Sequence, residues 1–593
     1  MNNENKYAAI AEPSMHKHFF RASSADFKKI PGNPIAYWFS ASAANNCERF
    51  SLLSDYSDAK SGMSSCNSEL FSRQWFEVSS ALINRAATSH ADSRASESKW
   101  YPYNKGGGNR RWFGYNDVVI NWANEGRDIK KFVTSNPKDP DTTHWSRRLF
   151  NLDSFFKVGL TWSAVTSGRF SCREVPFGVI PGTGSKTLYA LKGHQEKVVF
   201  SLLNTNVASY YLSVFSPTLN FEAGDVVKIP VVESVSKESL RTNELVAISK
   251  SDWDSYEVSW DFTSLPLLQS DYLQLTLKAA YQKLRIYWRE TTQQMQRLEE
   301  ENNQIFIDAY GLQSELRPEV PLKEITLTCN PYYRYGGDKT DEELEALLVA
   351  DTTREFLSYA VGCMFGRFSL DKPGLVLSSQ GEVLADYLRQ VPAPCFMPDE
   401  DNVIPLLDGE WFADDVTERF RTFLRVTFGE EHYEENLTFI EASLGKDVRK
   451  YFIKDFYTDH VKRYKKRPIY WLFASPKGTF SALIYLHRYR TDTVSVVLQY
   501  LRDFRKKLAA RLDYLQQVGI STSASQGEKT RALKEIETLK KQLLELDDYE
   551  RDTLYPLATE QLALDLDDGV KANYLKLGPA LKKIVGLDAK GED

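Results

Sequence analysis

"SDYLQLTLKAAYQKLRIYWRETTQQMQRLEEENNQI", residues 270–305, is the stretch on which the fold turns. Leu273, Leu277, Ala280, Leu284 and Trp288 recur three or four residues apart, which places them on one stripe of a helix. The spacing predicts a long helical connector, and the chain changes character across it. Residues 1–250 read as mixed α/β with many loops. Short β-prone runs stand at 117–122 (DVVINW), 197–203 (KVVFSLL) and 225–232 (DVVKIPVV), beside Gly/Asn clusters such as YNKGGGNRRWFGYN. The Ser/Ala-rich stretch 40–98 predicts helical turns. Residues 250–262, KSDWDSYEVSWDF, read as a polar, aromatic connector of little periodicity.

Beyond the long helix, helices alternate with Gly/Pro turns from about 340 to 460. From 494 to 550 the pattern is a helical hairpin. Leu508, Leu512 and Leu515 lie on one arm, and Leu533, Ile536, Leu539, Leu543 and Leu546 on the other. The polar break VGISTSASQGEK separates them. A structural coiled-coil arm is the plain reading of this hairpin. The expected fold class is α+β, in three parts: a mixed α/β domain over 1–250, a helical connector over 251–345, and a mostly helical domain over 346–593.

The 593 residues are 42% hydrophobic and 13% aromatic, the composition of a folded chain with sizeable cores. The six cysteines, Cys47, Cys66, Cys172, Cys329, Cys363 and Cys395, form no Cys-x-x-Cys pair and have no histidine at zinc-finger spacing. They read as buried thiols of a reducing compartment. The N-terminal segment MNNENKYAAIAEPSMHKHFF has no apolar core of a leader, and no run of apolar residues is long enough to span a membrane. A cytoplasmic protein without membrane contact is expected. The net charge of −6 hides an asymmetry. Residues 1–250 hold 30 Lys+Arg and 23 Asp+Glu, a net of +7, and the remainder holds 44 and 57, a net of −13. Residues 99–173 alone carry 13 basic residues against six acids. Basic charge gathered in one region suits a polyanionic partner.

Motifs of catalysis are sparse. GGGNRR (106–111) and PGTGSK (181–186) lack the spacing of a phosphate-binding loop, and neither follows a buried strand to open a helix. The carboxylate runs DEELE (341–345), PDEDN (398–402) and DLDD (565–568) read as solvated faces, and His460 and His487 as isolated core or surface histidines. Asn330-Pro331-Tyr332-Tyr333 is close to the Asn-Pro-Pro-Tyr loop with which amino-directed DNA methyltransferases hold a flipped base. It lacks the second proline and follows a long helix instead of closing an open sheet, so a turn with stacked tyrosines is the reading the residues favour.

Several long blocks carry a resemblance. They include IPGNPIAYWFS (30–40), NRRWFGYNDVVINWANEG (109–126), LTWSAVTSGRFSCR (160–173), LLNTNVASYYLSVFSPTLNFEAGDV (202–226) and SDWDSYEVSWDF (251–262). NNQIFIDAYGLQSELRPEV (302–320), SYAVGCMFGRFSLDKPGL (358–375), VKRYKKRPIYWLFASPKGTFSALIYLHRY (461–489) and YERDTLYPLATEQLALDLDDGVK (549–571) extend it over nearly the whole chain. The chain resembles the C-terminal half of the PglX/BrxX family, the adenine-specific DNA methyltransferases of type 1 BREX phage-exclusion systems. Members are roughly twice as long, with the S-adenosylmethionine loop and the Asn-Pro-Pro-Tyr in their first half. The resemblance therefore implies a target-recognition half, whether as a split subunit, a truncated frame or an engineered piece. It also implies that S-adenosylmethionine sits on the absent catalytic half and that this chain alone transfers no methyl group. The partners it implies are double-stranded DNA, a catalytic half or partner chain, and other BREX proteins.

A reader of duplex DNA needs Arg, Asn and Gln near base edges, with Lys and Arg on the phosphates. In such a half the stretch 104–173 offers Asn109, Arg110, Arg111, Asn116, Lys130, Lys131, Arg147, Arg148, Lys157, Arg169 and Arg173, with Thr161–Phe170 as a loop that would approach the duplex. Trp112, Phe113, Trp122, Trp145 and Trp162 are expected in the core. Lys462, Arg463, Lys465, Lys466 and Arg467, interleaved with Tyr464, are a second candidate, either a phosphate clamp or a basic helix end that answers acids of a neighbouring domain. The competing function is a non-enzymatic scaffold that assembles the defence complex through its acidic C-terminal half.

Overall fold

The computed structural model describes residues 24–136, 139–166, 168–189 and 195–588. The fold is α+β, with a largely helical C-terminal region. Helix α1 (Ala41–Arg49) precedes the strands β1 (Asp58–Ser61), β2 (Ser72–Gln74), β3 (Trp100–Asn104) and β4 (Val118–Asn121). Helix α2 (Ala123–Thr134) leads to β5 (Gly159–Ser163), β6 (Arg173–Val175), β7 (Ile180–Pro181) and β8 (Ser185–Tyr189). These strands make two small sheets, ordered β1-β8-β5-β6 and β2-β4-β3-β7. The first is antiparallel throughout, and the second ends in the parallel pair β3–β7. Helices α3 (Gln195–Leu203), α4 (Asn206–Phe215) and α5 (Thr242–Asp254) then lead to α6 (Leu277–Tyr310).

Helix α6 is the predicted connector. The Thr276 side chain accepts from the Ala279 amide to start it, and Gly311, at φ 65°, ends it in the left-handed region that glycine enters without penalty. Its 34 residues span about 50 Å. Leu277, Ala280, Leu284 and Trp288 are buried as a stripe, continued by Met295, Leu298 and Phe306. Leu273, expected on that stripe, lies ahead of the cap and is exposed.

The C-terminal region follows as α7 (Pro331–Tyr335), α8 (Asp341–Met364), β9 (Ile404–Pro405), α9 (Val416–Phe428), α10 (Tyr433–Leu444) and α11 (Tyr457–Arg463). Next come the hairpin β10 (Tyr470–Ala474) and β11 (Ser481–Tyr485), the long pair α12 (Thr493–Ile520) and α13 (Gln526–Tyr549), and finally α14 (Gly569–Leu577). The pair α12–α13 is the expected helical hairpin. Ser525 and Glu528 form a reciprocal cap at the start of its second arm. Leu508, Leu515, Ile536, Leu539 and Leu546 are buried along it, whereas Leu533 faces solvent.

Three local expectations differ. KVVFSLL is not a strand but the buried helix α3, packed against α4, α5 and α6, where tertiary burial outweighs the β preference of Val198 and Val199. Of DVVKIPVV, the first part is a helical turn, Ala223–Val226, and only the end is extended, with Val231 bonded to the Ser51 carbonyl at 2.9 Å. The stretch 250–262 begins inside α5 instead of running as a connector. One buried apolar cluster runs from Ile30 to Leu587 and crosses residues 250 and 345 without a gap. A second, smaller cluster centres on Trp122, Phe155 and Phe156 beside α2. No single helix among the described residues is long and apolar enough to cross a membrane. Helices α3 and α4 together approach that length, but they are bent by 73° and packed in the core.

Both isolated histidines are core residues. The His460 Nε2 accepts from the amides of Ile469 (3.2 Å) and Tyr470 (3.0 Å), and the His487 Nε2–H donates to the Val78 carbonyl at 3.2 Å. Burial, with Arg463 and Arg367 nearby, holds His460 well below the ordinary histidine value, and burial with Arg367 brings His487 to about 3. The unfolded chain takes up these protons near pH 6.5 and the folded chain does not, so stability is full above that pH and falls as pH drops. For His487 the loss at pH 5 is about 2 kcal/mol. Urea unfolding at pH 7 and pH 5 should show a smaller loss for His487→Leu than for the parent; equal losses would refute the assignment.

Candidate nucleic-acid interface

The sixteen polar and basic candidates divide by burial. Arg110, Arg111 and Arg173 are nearly inaccessible, at 2%, 5% and 1% exposure. Arg110 pairs with Asp252 at 2.8 Å and also donates to the carbonyls of Phe113 (2.8 Å) and Ser249 (3.0 Å) and to Thr328 Oγ1 (3.0 Å). Arg111 pairs with Glu299, whose other oxygen accepts from Trp112 Nε1 at 2.8 Å. Arg173 donates to the Arg110 carbonyl and Ser163 Oγ, and its guanidinium lies 5.1 Å from the centroid of the Tyr115 ring. The role at base edges expected of these three is therefore corrected. Arg110 and Arg111 are buried cations whose pairs with Asp252 and Glu299 tie the N-terminal region to α5 and α6, and Arg173 is buried against the Arg110 carbonyl, Ser163 and the Tyr115 ring.

Asn109 and Asn116 are half-buried. The Asn109 carbonyl accepts from Tyr333 Oη. Arg169 is exposed but pairs with Glu324 at 2.8 Å. Thr161–Phe170 is not one loop: Thr161, Trp162 and Ser163 belong to the buried strand β5. Trp112, Phe113, Trp122 and Trp162 are core as expected, and Trp145 is half-buried.

What remains on the surface gathers around α2. Lys131, Arg147, Arg148 and Lys157 are exposed and Lys130 is half-exposed. The Lys130 ammonium lies 5.6 Å from the Trp122 centroid and 4.9 Å from that of Trp145, which joins α2 to the turn Trp145–Arg147. Arg148 pairs with Asp139 at 3.0 Å, whereas Lys131, Arg147 and Lys157 make no ion pair among the described residues. Arg127, missed in the sequence, is exposed one turn before Lys130 and Lys131 on the same helix; its spacing was the available signal.

The second basic cluster faces inward. Arg463 meets Glu257 at 3.1 Å, Lys465 pairs with Asp117, and Arg467 approaches Glu77 at 3.9 Å, while Tyr464 is fully buried. Lys462, Lys465 and Lys466 are exposed. Of the two readings of this cluster, the pairing supports the basic helix end that answers acids of the N-terminal region. The same seam continues at Asp567, which pairs with Lys99 at 2.8 Å and accepts from Trp100 Nε1 at 2.7 Å. DLDD is thus not simply a solvated face. Nor is PDEDN: Asp399 is buried, and burial together with Asp401 pushes its carboxyl up to about 7 against the pull of Arg419.

Asn330 is fully buried and caps α7. Its side chain accepts from the Tyr332 amide (3.2 Å) and donates to the carbonyls of Leu322 (2.7 Å) and Ile325 (2.8 Å), so no polar atom of it is left for a base. The tyrosines are not stacked on one another as expected. Tyr332 donates to Asp341, Tyr333 to the Asn109 carbonyl, and Tyr335 to the Leu347 carbonyl and Asp351. The glycine-rich segments are packed closely inside the fold. A Cβ at Gly107 would meet the Tyr115 ring at 2.2 Å, and one at Gly184 the Lys105 carbonyl at 2.3 Å, so close packing inside the fold accounts for both.

Sequence comparison puts names to proteins that this chain resembles. The chain is homologous to "Adenine-specific methyltransferase BrxX" of Escherichia coli O9:H4 (strain HS), 35% identical over 582 residues, 95% of this chain and 46% of that protein. It is equally similar to "Adenine-specific methyltransferase PglX" of Lacticaseibacillus casei (strain Zhang), 35% identical over 587 residues, 96% of this chain and 46% of the relative. The chain spans about half the length of the curated relatives it matches. No protein-family model matches it.

Proposed function

We propose that this chain is the DNA-recognition half of a site-specific N6-adenine methyltransferase of a BREX anti-phage system, and that it positions DNA for a catalytic half outside this sequence. The observation that carries the reading is the exposed basic face of α2 and the 145–148 turn, in a chain homologous to adenine-specific methyltransferases. Lys131 and Arg147 there are unpaired among the described residues and suit phosphates, the contacts that set register on a duplex. Burial argues against contact with DNA for Arg110, Arg111 and Arg173, and in the 462–467 cluster Lys462, Lys465 and Lys466 are exposed, Lys465 being paired with Asp117.

A salt titration of duplex binding is the test. Lys131→Ala combined with Arg147→Ala should flatten the slope of log affinity against log salt by roughly two units, about 0.9 per phosphate contact. No duplex binding at low salt would favour the scaffold reading instead. The chain alone should show no saturable binding of S-adenosylmethionine by calorimetry and no methyl transfer. Micromolar binding would place a cofactor site here and sink the division of labour.

A further inference from the structure

The sheet β1-β8-β5-β6 ends in a strained turn. The register of β5 with β6 pairs Gly159 with Val175, and carried two residues further it sets Lys157 against Phe177. Residues opposed in this way have Cβ atoms about 5 Å apart in a regular ladder. Bonding between the two segments continues there. The Phe156 amide donates to the Val179 carbonyl at 2.9 Å, and the Gly178 amide to the Phe156 carbonyl at 3.3 Å. Phe156 lies in the left-handed region at φ 67°, an uncommon conformation for so bulky a residue, and Gly178 beside it at φ 84°. A Cβ at Gly178 would meet the Arg85 carbonyl at 2.4 Å, so only glycine fits the turn. Phe156 and Ile180 pack with Ile129 and Val133 of α2 in the smaller core. Strain of this kind persists only where the surroundings over-determine the backbone, so the turn is rigid and shares its foundation with α2.

What the turn presents is one ring and one charge. Phe177 is 60% exposed and is the one exposed residue of 171–180; Lys157 is the one exposed residue of 154–160. Lys157 makes no ion pair among the described residues, and Asp153, the acid that feels its charge, is taken by Lys60 at 2.6 Å. A surface that docks a protein is a contiguous apolar patch, whereas this ring stands alone with a cation opposite. Nucleic acid matches both parts, with a base for the ring to stack on and a phosphate for the ammonium.

We propose that Phe177 is a wedge that enters an opened base step of duplex DNA and stacks on a base, with Lys157 on an adjoining phosphate. The wedge rests on the reading of the α2 region as the face that holds DNA, and adds to it a residue that distorts the duplex. A rigid turn suits this task, because a ring on a mobile loop would yield before the base stack did. Phe177 is a positioning residue here and takes no part in methyl transfer.

The experiment measures affinity of the full chain, by fluorescence anisotropy at several salt concentrations, for a duplex of about 20 base pairs. The same duplex with one mismatched pair at its centre is the second probe. A mismatch is already partly unstacked, so the parent should bind it about tenfold more tightly than the paired duplex. Phe177→Ala, a change at an exposed position, should bind the two alike and keep the parental salt slope. Phe177→Trp should restore the preference. Lys157→Ala should weaken both duplexes and flatten the salt slope by about 0.9, one phosphate contact. Salt-dependent binding by the parent that ignores the mismatch, or a preference that survives Phe177→Ala, would overturn the wedge and leave DNA recognition standing. No binding of either duplex at low salt would overturn both.

Discussion

Arg110→Ala is expected to destabilise the protein by about 3–5 kcal/mol, the cost of leaving Asp252 buried without its cation. The guanidinium makes four bonds inside the fold, to Asp252, Phe113, Ser249 and Thr328. Asp252 in turn accepts from the amides of Thr328 (2.7 Å) and Cys329 (2.9 Å), so the pair joins β-rich N-terminal structure to the segment that enters α7. Removing one partner strands the other, and the Phe113 and Ser249 carbonyls left without their donor add to the penalty. Urea unfolding gives the magnitude, and a cycle with Asp252→Asn should return a coupling energy above about 2 kcal/mol. Under conditions where the variant stays folded, its affinity for cognate and scrambled duplexes should match the parent. A variant of parental stability with relaxed preference at one base pair would return Arg110 to the groove.

The second large effect is at Asn330. Asn330→Ala removes both donors from the carbonyls of Leu322 and Ile325 and the cap of α7 in one step. Two buried carbonyls left unmet cost about 1–3 kcal/mol each, and a lost cap about 1 kcal/mol. A total of about 3–5 kcal/mol follows when the site relaxes in part. Asn330→Asp keeps the acceptor that caps Tyr332 but sets a buried carboxylate oxygen against the Leu322 and Ile325 carbonyls, and should cost at least as much as Ala. Where an Asn330 variant is folded and reconstituted with a catalytic half, methyl transfer should persist. A stable variant that binds DNA and has lost all transfer would make Asn330 a catalytic residue after all.

These two sites show where sequence reading ran out. Gly-flanked arginines beside a polar, aromatic loop have the same one-dimensional signature whether they face a groove or a buried carboxylate. Arg110 and Arg111 find their partners 142 and 188 residues away, at Asp252 and Glu299, and no local spacing encodes that distance. The 462–467 cluster misled in the same way, since the acids that receive it, Asp117 and Glu77, belong to the other end of the chain.

The elements with strong period were legible from the residues alone. The stripe Leu277–Ala280–Leu284–Trp288 and the leucines of α12 and α13 dictate long amphipathic helices, because only one face of each can leave water. Composition and the excess of basic residues in the first 250 were equally plain. Short apolar runs were not, since KVVFSLL buries equally well as helix or strand, and its neighbours α4, α5 and α6 chose the helix. Which cations remain free was likewise a tertiary decision. An enclosed guanidinium needs acceptors: Arg110 and Arg111 find carboxylates and Arg173 a carbonyl and a hydroxyl inside the fold, while Lys131, Arg147 and Lys157 stay on the surface.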